Sequence, residues 1–174
     1  MALRYGSRSR PGTMVSTWLN GLVSGTVLSG AGYVGGGDTS GGKVTTVDKF
    51  AFFNDGRTTL GTGLSSARHA LAGMANSGTA GYFGGGYTTG GVTTVDKFAF
   101  SDDGRTTLGT GLSSASYYVA GMANSGTAGY FGGGTVSGSA VTTVDKFAFS
   151  DDGRTTLGTG LSSARHALAG MANS

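Results

Sequence analysis

Residues 78–125 read GTAGYFGGGYTTGGVTTVDKFAFSDDGRTTLGTGLSSASYYVAGMANS, and this unit recurs along the chain. Tyr33, Tyr82 and Tyr130 hold the same place in successive copies and are 49 and 48 residues apart. Residues 92–115 are identical to residues 141–164, and residues 72–86 are identical to residues 120–134. Self-similarity at a fixed period is typical of proteins built from stacked supersecondary units. The repeat therefore decides the fold class, but it names no ligand.

Each copy predicts four short strands, and the pattern is all-β. AGYVGGG at residues 31–37 is expected to be a strand that ends in a glycine corner, and residues 44–52 alternate as a strand should, with Val44, Asp48 and Phe52 on one face. The Asp-Gly pairs at 55–56, 103–104 and 152–153 predict tight hairpin turns. RTTLGTGLSS is then the outgoing strand, and residues 67–77 are expected to form a strand buried on both faces.

Residues 1–29 differ from the repeats, so the predicted organisation is an N-terminal arm followed by a repeat region at 30–174. The repeats span about 30–77, 78–125 and 126–174. The excess of 12 basic over 9 acidic residues comes from Arg4, Arg8 and Arg10, and Trp18 lies in an apolar segment beside them. Residues 14–29 suit a short helix or an irregular strand. A basic arm next to an apolar segment predicts docking to a partner through these four residues.

Composition excludes several classes of function. The chain has no cysteine, so disulfide and thiolate chemistry are excluded. From Pro11 onward basic and acidic residues balance, which argues against a nucleic-acid partner. No stretch has the apolar density of a membrane helix, and the N-terminus is not a convincing signal peptide. Glycine is 36 of 174 residues, but its periodic placement favours an ordered repeat rather than disorder.

The unit resembles the kelch repeat of β-propellers. The kelch double glycine after an aromatic residue matches residues 82–86, its third strand matches VDKFAF at 95–100, and its link to the next blade matches GLSSARHAL at 63–71 and 160–168. The chain departs from the pattern where Leu60, Leu108 and Leu157 replace the usual tryptophan and Ser116 replaces the arginine. The resemblance implies three four-stranded, kelch-like propeller blades per chain. Similar Gly/Thr/Ser-rich arrays occur in phage tail and other virion proteins.

The phase of the repeat predicts how blades are completed. The repeat region begins at a second strand, near residue 30, and its last segment, up to residue 174, is a first strand. We expect a homo-oligomer, with a dimer favoured, in which exchanged terminal strands close a six-bladed ring and remove exposed sheet edges. The alternatives are a filament joined edge to edge, and completion of the first blade by residues 14–29. A monomer with two open edges is the least favoured.

The residues that bear chemistry are not expected to form a catalytic or metal site. A repeat spaces equivalent groups apart, whereas catalysis gathers a nucleophile and a base in one place. His69 and His166 are therefore not predicted to share a metal, and the Asp-Asp-Gly turns lack the ligand spacing of calcium loops. GYFGGG lacks the pattern of a phosphate-binding loop. Asp48, Asp96 and Asp145 are predicted to be paired strand polars, and no cofactor or enzymatic activity is expected.

The copies differ mainly in the loops after the glycine corner and at residues 116–119. Tyr87, Tyr117 and Tyr118 are the candidate contacts to a surface glycan or a protein, because tyrosine joins an apolar face to a hydrogen-bonding tip. Drift in exposed loops explains the same differences without a ligand. The expected function is a structural or interaction protein of a virion, such as a phage tail fibre, collar or capsid-surface component, in a virion or extracellular setting. A glycan-binding adhesin or lectin-like module used in host attachment and a filament protein are the alternatives.

Overall fold

The structure is a computed structural model that describes residues 30–173. These residues form antiparallel β-sheets and contain no helix, which confirms the all-β prediction. It follows that none of them belongs to a helix able to cross a membrane. The predicted docking residues Arg4, Arg8, Arg10 and Trp18 lie outside the described residues, as does the choice between helix and strand for residues 14–29.

Three sheets of related sequence carry the fold, and each is an antiparallel meander. Sheet 1 contains β1 (Ala31–Gly35), β4 (Val47–Ala51) and β5 (Gly56–Thr59) in that order. Sheet 2 contains β6 (Ala72–Asn76), β7 (Ala80–Gly84), β8 (Val95–Ala99) and β9 (Arg105–Thr107). Sheet 3 contains β11 (Ala120–Asn124), β12 (Ala128–Gly132), β15 (Val144–Ala148) and β16 (Arg154–Thr156). Two sheets thus have the four strands expected, whereas within residues 30–173 sheet 1 has three strands and no first strand, as the phase of the repeat predicts.

Short hairpins lie between the larger strands. β2 (Asp38–Thr39) pairs with β3 (Gly42–Lys43) in the first repeat. In the last repeat β13 (Thr135–Val136) pairs with β14 (Ser139–Ala140) and also with β10 (Ser116–Tyr117) from the preceding repeat. The segments at which the copies differ are therefore hydrogen-bonded from one repeat to the next.

The Asp-Asp-Gly turns join the third and fourth strands of sheets 2 and 3, as predicted. In sheet 2 the second aspartate takes the left-handed conformation, with φ +58° at Asp103. The first aspartate, Asp102, accepts a hydrogen bond from the Gly104 amide at 2.9 Å. This arrangement is an Asx-type turn, and aspartate suits it because its short side chain tolerates positive φ and bonds locally.

The predicted glycine corner is also present. In sheet 2 Gly85 and Gly86 have φ of +66° and +111°, so β7 ends where side chains are disfavoured. The Gly86 amide donates to the Ser116 carbonyl at 2.9 Å, which ties the corner to the segment that leads into sheet 3.

The core lies between consecutive sheets. Phe83 and Phe98 of sheet 2 pack edge to face, with ring centroids 5.8 Å apart, and join Val47 of sheet 1 in one cluster. Phe131 and Phe147 of sheet 3 repeat the arrangement at 5.9 Å in the next cluster. Burial of these side chains against the neighbouring sheet holds the stack together.

Three strand predictions were too long. Residues 44–52 form a strand only from Val47 to Ala51, and the outgoing strand of sheet 2 stops at Thr107. Beyond Thr107 the glycines let the chain turn, and Leu112 becomes buried. The segment 67–77 was predicted to be buried on both faces, and this is wrong. Only residues 72–76 form a strand, with Met74 buried but Gly73 and Ala75 exposed.

Candidate functional site

The first notable feature is a polar contact between consecutive sheets that occurs twice. In the first instance the Tyr33 hydroxyl of sheet 1 donates to Asp103 Oδ1 in the turn of sheet 2 at 2.6 Å. Lys49 Nζ donates to both oxygens of the same carboxylate at 2.9 and 2.8 Å. Asp103 is the left-handed residue of its turn, so the turn geometry aims its carboxylate at the preceding sheet.

The second instance joins sheet 2 to sheet 3 in the same way. The Tyr82 hydroxyl donates to Asp152 Oδ1 at 2.8 Å, and Lys97 Nζ donates to Asp152 Oδ2 at 2.7 Å. Stacked rings accompany both contacts: Tyr33 with Phe100 at 5.0 Å and Tyr82 with Phe149 at 5.4 Å between centroids. We call this arrangement the Tyr–Lys–Asp contact.

In the first instance, at Tyr33, Lys49 and Asp103, the pKa values of all three groups are shifted. Burial and the hydrogen bond to Asp103 raise the pKa of Tyr33. The hydrogen bond to Asp103 raises the pKa of Lys49, although burial opposes it. Burial alone would raise the pKa of Asp103, but the bonds from Lys49 and Tyr33 outweigh it, so this pKa is lowered. Each group is held in its ordinary ionisation state, which does not suit a group that must exchange protons near neutral pH.

A second polar contact lies deeper between the sheets, at Asp96. Its Oδ2 accepts hydrogen bonds from the Ser65 amide, the Ser65 hydroxyl and Arg68 Nη2, each at 2.9 Å. Its Oδ1 accepts from Thr107 at 2.7 Å. Burial raises the pKa of Asp96, but these donors and the charge of Arg68 lower it further than burial raises it. Asp96 is therefore a saturated hydrogen-bond acceptor and not a free base.

Asp145 repeats this contact between sheets 2 and 3. The Ser113 amide and hydroxyl donate to its Oδ2 at 2.8 and 2.9 Å, and Thr156 donates to Oδ1 at 2.6 Å. In sheet 1, Asp48 accepts from Thr59 and Arg57 of its own sheet. The prediction that the three aspartates are paired strand polars is confirmed. Among residues 30–173 no group of three His, Asp, Glu or Cys side chains could hold a metal ion.

The third feature is a row of aromatic rings that runs across the repeats. Tyr87 contacts Tyr117 at 5.0 Å, and Tyr117 contacts Tyr118 at 5.3 Å between ring centroids. His69 lies 5.6 Å from Tyr87 at one end, and His166 lies 6.1 Å from Tyr118 at the other. We call these five residues the aromatic row. It brings together the three tyrosines that the sequence marks as candidate contacts.

Backbone pairing between repeats explains why the aromatic row is continuous. His69 and Tyr87 exchange amide-to-carbonyl hydrogen bonds at 3.3 and 2.8 Å, although they belong to different repeats. The Tyr118 amide donates to the Ala70 carbonyl at 2.7 Å, and the Ala167 amide donates to the Tyr118 carbonyl at 3.1 Å. Loop residues of successive copies are thereby stacked at hydrogen-bonding distance, and their side chains are neighbours.

A lysine lies at one end of the aromatic row, and one tyrosine of the row has a left-handed backbone conformation. Lys43 Nζ lies 5.6 Å from the centroid of Tyr87, within the range of a cation–π contact. Tyr118 has φ +55°, a left-handed conformation that side chains rarely adopt, and it is among the exposed large apolar residues. Nδ1 of His69 is buried without a hydrogen-bond partner among the described residues. Ala70 and Ala167 hold the place of Tyr118 in the other repeats and have φ of +56° and +52°, so this conformation belongs to the repeat.

Sequence reasoning found the tyrosines but missed the pairing of the turn aspartates. Turn chemistry explains Asp102 and Asp151, whose carboxylates accept from Gly104 and Gly153, but Asp103 and Asp152 face the preceding sheet. The available signal was a lysine after each strand aspartate and an aspartate before the glycine of each turn, six residues further on in every copy. Two charges of opposite sign that recur once per repeat predict a contact between repeats.

No protein-family model matches the chain, and no curated protein matches it.

Proposed function

We propose that this protein is structural: its β-repeats serve as stacked modules of a larger assembly, and its sheets are kelch-like propeller blades. The proposed setting is a virion, as a fibre, collar or capsid-surface component. Residues 1–29 would dock the chain to neighbouring virion proteins, and the repeats would form the exposed part.

One observation carries the structural role: the recurring polar residues are used to join sheets. Asp103 and Asp152 each bind a tyrosine and a lysine of the preceding sheet, while Asp96 and Asp145 each bind a serine of the preceding repeat. An active site would leave a base or nucleophile accessible in a cleft. Here the carboxylates accept hydrogen bonds from neighbouring modules. Repeat proteins gain much of their stability from such nearest-neighbour interfaces.

The virion setting is tested by following the chain into particles. An antibody against the exposed β13–β14 hairpin would be used on gradient-purified particles from cells that produce the protein. We expect the chain to sediment with particles and the antibody to label their surface. A chain that stays in the soluble fraction contradicts the setting. Release of the chain on deletion of residues 1–29 would assign the docking role to that segment, and retention would remove it.

A second function, glycan binding, is favoured by the aromatic row. Its tyrosines form one continuous surface with Lys43 at one end, and aromatic faces with polar tips are suited to sugars. A glycan array probed with the wild type, Y117A and Y118A tests this function. We expect binding that Y118A abolishes and that F53A retains, because Phe53 is an exposed aromatic outside the row. No binding by the wild type, or equal loss in F53A, contradicts it.

A further inference from the structure

Each interface between consecutive sheets is formed by two different faces, one from each sheet. Among residues 30–173, one face of each kind has no neighbouring sheet. Sheet 2 is covered on both sides, by sheets 1 and 3. The outer face of sheet 1 corresponds to the face of sheet 2 that packs on sheet 1. The outer face of sheet 3 corresponds to the face of sheet 2 that packs on sheet 3. The residues on these two end faces show whether they are complementary.

The outer face of sheet 1 is apolar and exposed. Phe50 is 37% exposed, whereas its equivalent in sheet 2, Phe98, is 1% exposed because sheet 1 covers it. Val34 and Phe52 are also exposed. Asp55 holds the turn position of Asp103 and Asp152 and has φ +55°, as they do. Its carboxylate has no hydrogen bond or ion pair within residues 30–173.

The outer face of sheet 3 carries the complementary groups. Tyr130 and Lys146 hold the places of Tyr82 and Lys97, and among residues 30–173 their side chains have neither a hydrogen bond nor an ion pair. Arg165 is exposed, although its equivalent Arg68 is wholly buried against Asp96. The aspartate face of sheet 1 and the tyrosine–lysine face of sheet 3 thus have opposite charge and matching sequence.

Within residues 30–173 no first strand pairs with β1, and a cavity of about 780 Å³ lies at this edge of sheet 1. One wall is the free edge of β1, at Gly32 and Tyr33, and the other is β6, at Gly73 and Met74. In sheets 2 and 3 this place is filled by β6 and β11, which pair with the second strand of their own sheet. The cavity therefore has the position of a single β-strand with one edge to pair.

The described residues also include a segment that has the sequence of a first strand but joins no sheet. Residues 169–173, Ala-Gly-Met-Ala-Asn, repeat β6 and β11 but join no sheet. Met171 is 90% exposed, whereas Met74 is 7% exposed. A row of glycines marks how such strands stack: a Cβ on Gly121 would overlap the Gly73 carbonyl, and a Cβ on Gly170 would overlap the Gly121 carbonyl. For a Cβ on Gly73 the nearest backbone atom is the Tyr82 carbonyl oxygen at 3.9 Å, because among residues 30–173 no strand precedes β6 in the row.

We propose that a second copy of this chain completes sheet 1, with its residues 169–173 entering the cavity as the first strand. The register of β6 with β7 pairs Ala169 of one copy with Gly35 of the other, and Asn173 with Ala31. Lys146 and Tyr130 then meet Asp55 of the neighbouring copy, and Ser162 and Arg165 meet Asp48. This proposal deepens the structural role above and rests on it, since it names another copy as the partner.

The contact is heterologous, because different surfaces of the two copies meet. Such contacts close into a ring when the rotation permits, and otherwise they grow into a filament. In both cases the edge of β1 is covered and the contact between sheets continues without interruption from one copy to the next. The aromatic row would continue as well, since His166 of one copy would lie beside the first repeat of the next.

Charge exchange tests the proposal with the full-length chain. D55K and K146D each place like charges at the contact, so each variant alone is expected to associate about a hundredfold more weakly than the wild type. An equimolar mixture restores opposite charges at every contact and is expected to recover the wild-type mass by light scattering. A mixture that stays monomeric while the wild type associates would overturn the proposal.

Strand insertion is tested by G73A with G109A as the matched control. A Cβ on Gly73 meets only side-chain and carbonyl atoms at 3.5 Å or more, so the chain should fold, but it would collide with an inserted strand. Gly109 has open space around it. We expect G73A to be folded and monomeric and G109A to associate like the wild type. Equal association of both variants would overturn insertion at this edge.

Cross-linking distinguishes the remaining occupants, because the chain has no cysteine of its own. A31C mixed with N173C should give a disulfide-linked pair of chains. A disulfide that forms only within a doubly substituted monomer, or association that appears only after residues 1–29 are deleted, overturns the proposal. A monomeric chain that still sediments with particles would also overturn it and leave the structural role in place.

Discussion

The junction between sheets 1 and 2 and the junction between sheets 2 and 3 use the same carboxylate contact but a different cation. In the first, Arg68 is 0% exposed and donates to Asp96 at 2.9 Å. In the second, Ser116 holds the place of Arg68, and Arg154 lies 3.5 Å from Asp145 within sheet 3 itself. The aspartate is constant, while the cation comes from the segment between the sheets in the first junction and from the aspartate's own sheet in the second.

The comparison shows which part of the contact is essential to the fold. Both aspartates accept from a serine amide, the serine hydroxyl and a threonine hydroxyl. These neutral donors satisfy the buried carboxylate in either junction. A buried ion pair adds little net stability over a well-packed alternative, because desolvation offsets most of the attraction. The chain can therefore exchange arginine for serine without changing the stack.

Neutralising the buried aspartate should give the largest difference in stability between the two junctions. D96N leaves Arg68 buried without its counter-charge, and we expect the free energy of unfolding to fall by about 3–5 kcal/mol. D145N leaves no buried cation, since Arg154 is partly exposed, and should cost about 1–2 kcal/mol for weakened hydrogen bonds. Urea denaturation of both variants measures the difference, with D38N at an exposed site as the control. Equal losses of unfolding free energy in the two variants would mean that burial of Arg68 does not require the negative charge of Asp96.

Steric contact between first strands should give the next largest effect. A Cβ on Gly121 would overlap the Gly73 carbonyl at the second junction, so G121A should lower the free energy of unfolding by about 1–3 kcal/mol. G109A, at an open position, should be neutral or slightly stabilising. Thermal unfolding of the two variants provides the measurement. A G121A variant as stable as G109A would show that the strands separate easily.

The sequence predicts the strands because each is set by local chemistry. Alternation defines β8, triple glycine ends β7, and Asp-Asp-Gly forms the hairpin to β9. Strand ends are predicted less well: residues 67–71 look like a strand, but they are used to cross between sheets. That use depends on neighbours in another repeat, such as Tyr87 for His69, which a local pattern does not contain.

The candidate site is predicted in part for the same reason. Comparison of the copies picks out Tyr87, Tyr117 and Tyr118 because they vary, but only the stacking of repeats shows that their rings touch. Asp103 was assigned to turn chemistry alone, since its lysine partner lies 54 residues away. Contacts between repeats depend on how neighbouring sheets pack against each other, which the repeat length does not specify.

Acid should weaken the stack through the aspartates whose pKa is lowered. The pKa values of Asp96 and Asp103 lie below those of unfolded chains, about 4, although burial opposes the shift in both. A lowered folded-state pKa contributes stability above the unfolded pKa, and this stability is lost as pH falls through the folded pKa. Urea midpoints should therefore fall below pH 4. D103N, which keeps the turn conformation, should reduce the slope, and an unchanged slope would contradict this assignment.

The smallest expected effect concerns the partly exposed lysines. Lys97 and Asp152 are 26% exposed in their side chains, and Lys97 also lies 5.4 Å from the centroid of Tyr82. K97A should therefore cost about 0.5–1 kcal/mol, and less at high salt. K146A removes the equivalent lysine of sheet 3, which lacks an acidic partner within residues 30–173, so its cost under monomeric conditions should be close to zero. If K146A costs as much as K97A, the lysine stabilises its own sheet through its apolar stem, and the Tyr–Lys–Asp contact contributes only alignment between sheets.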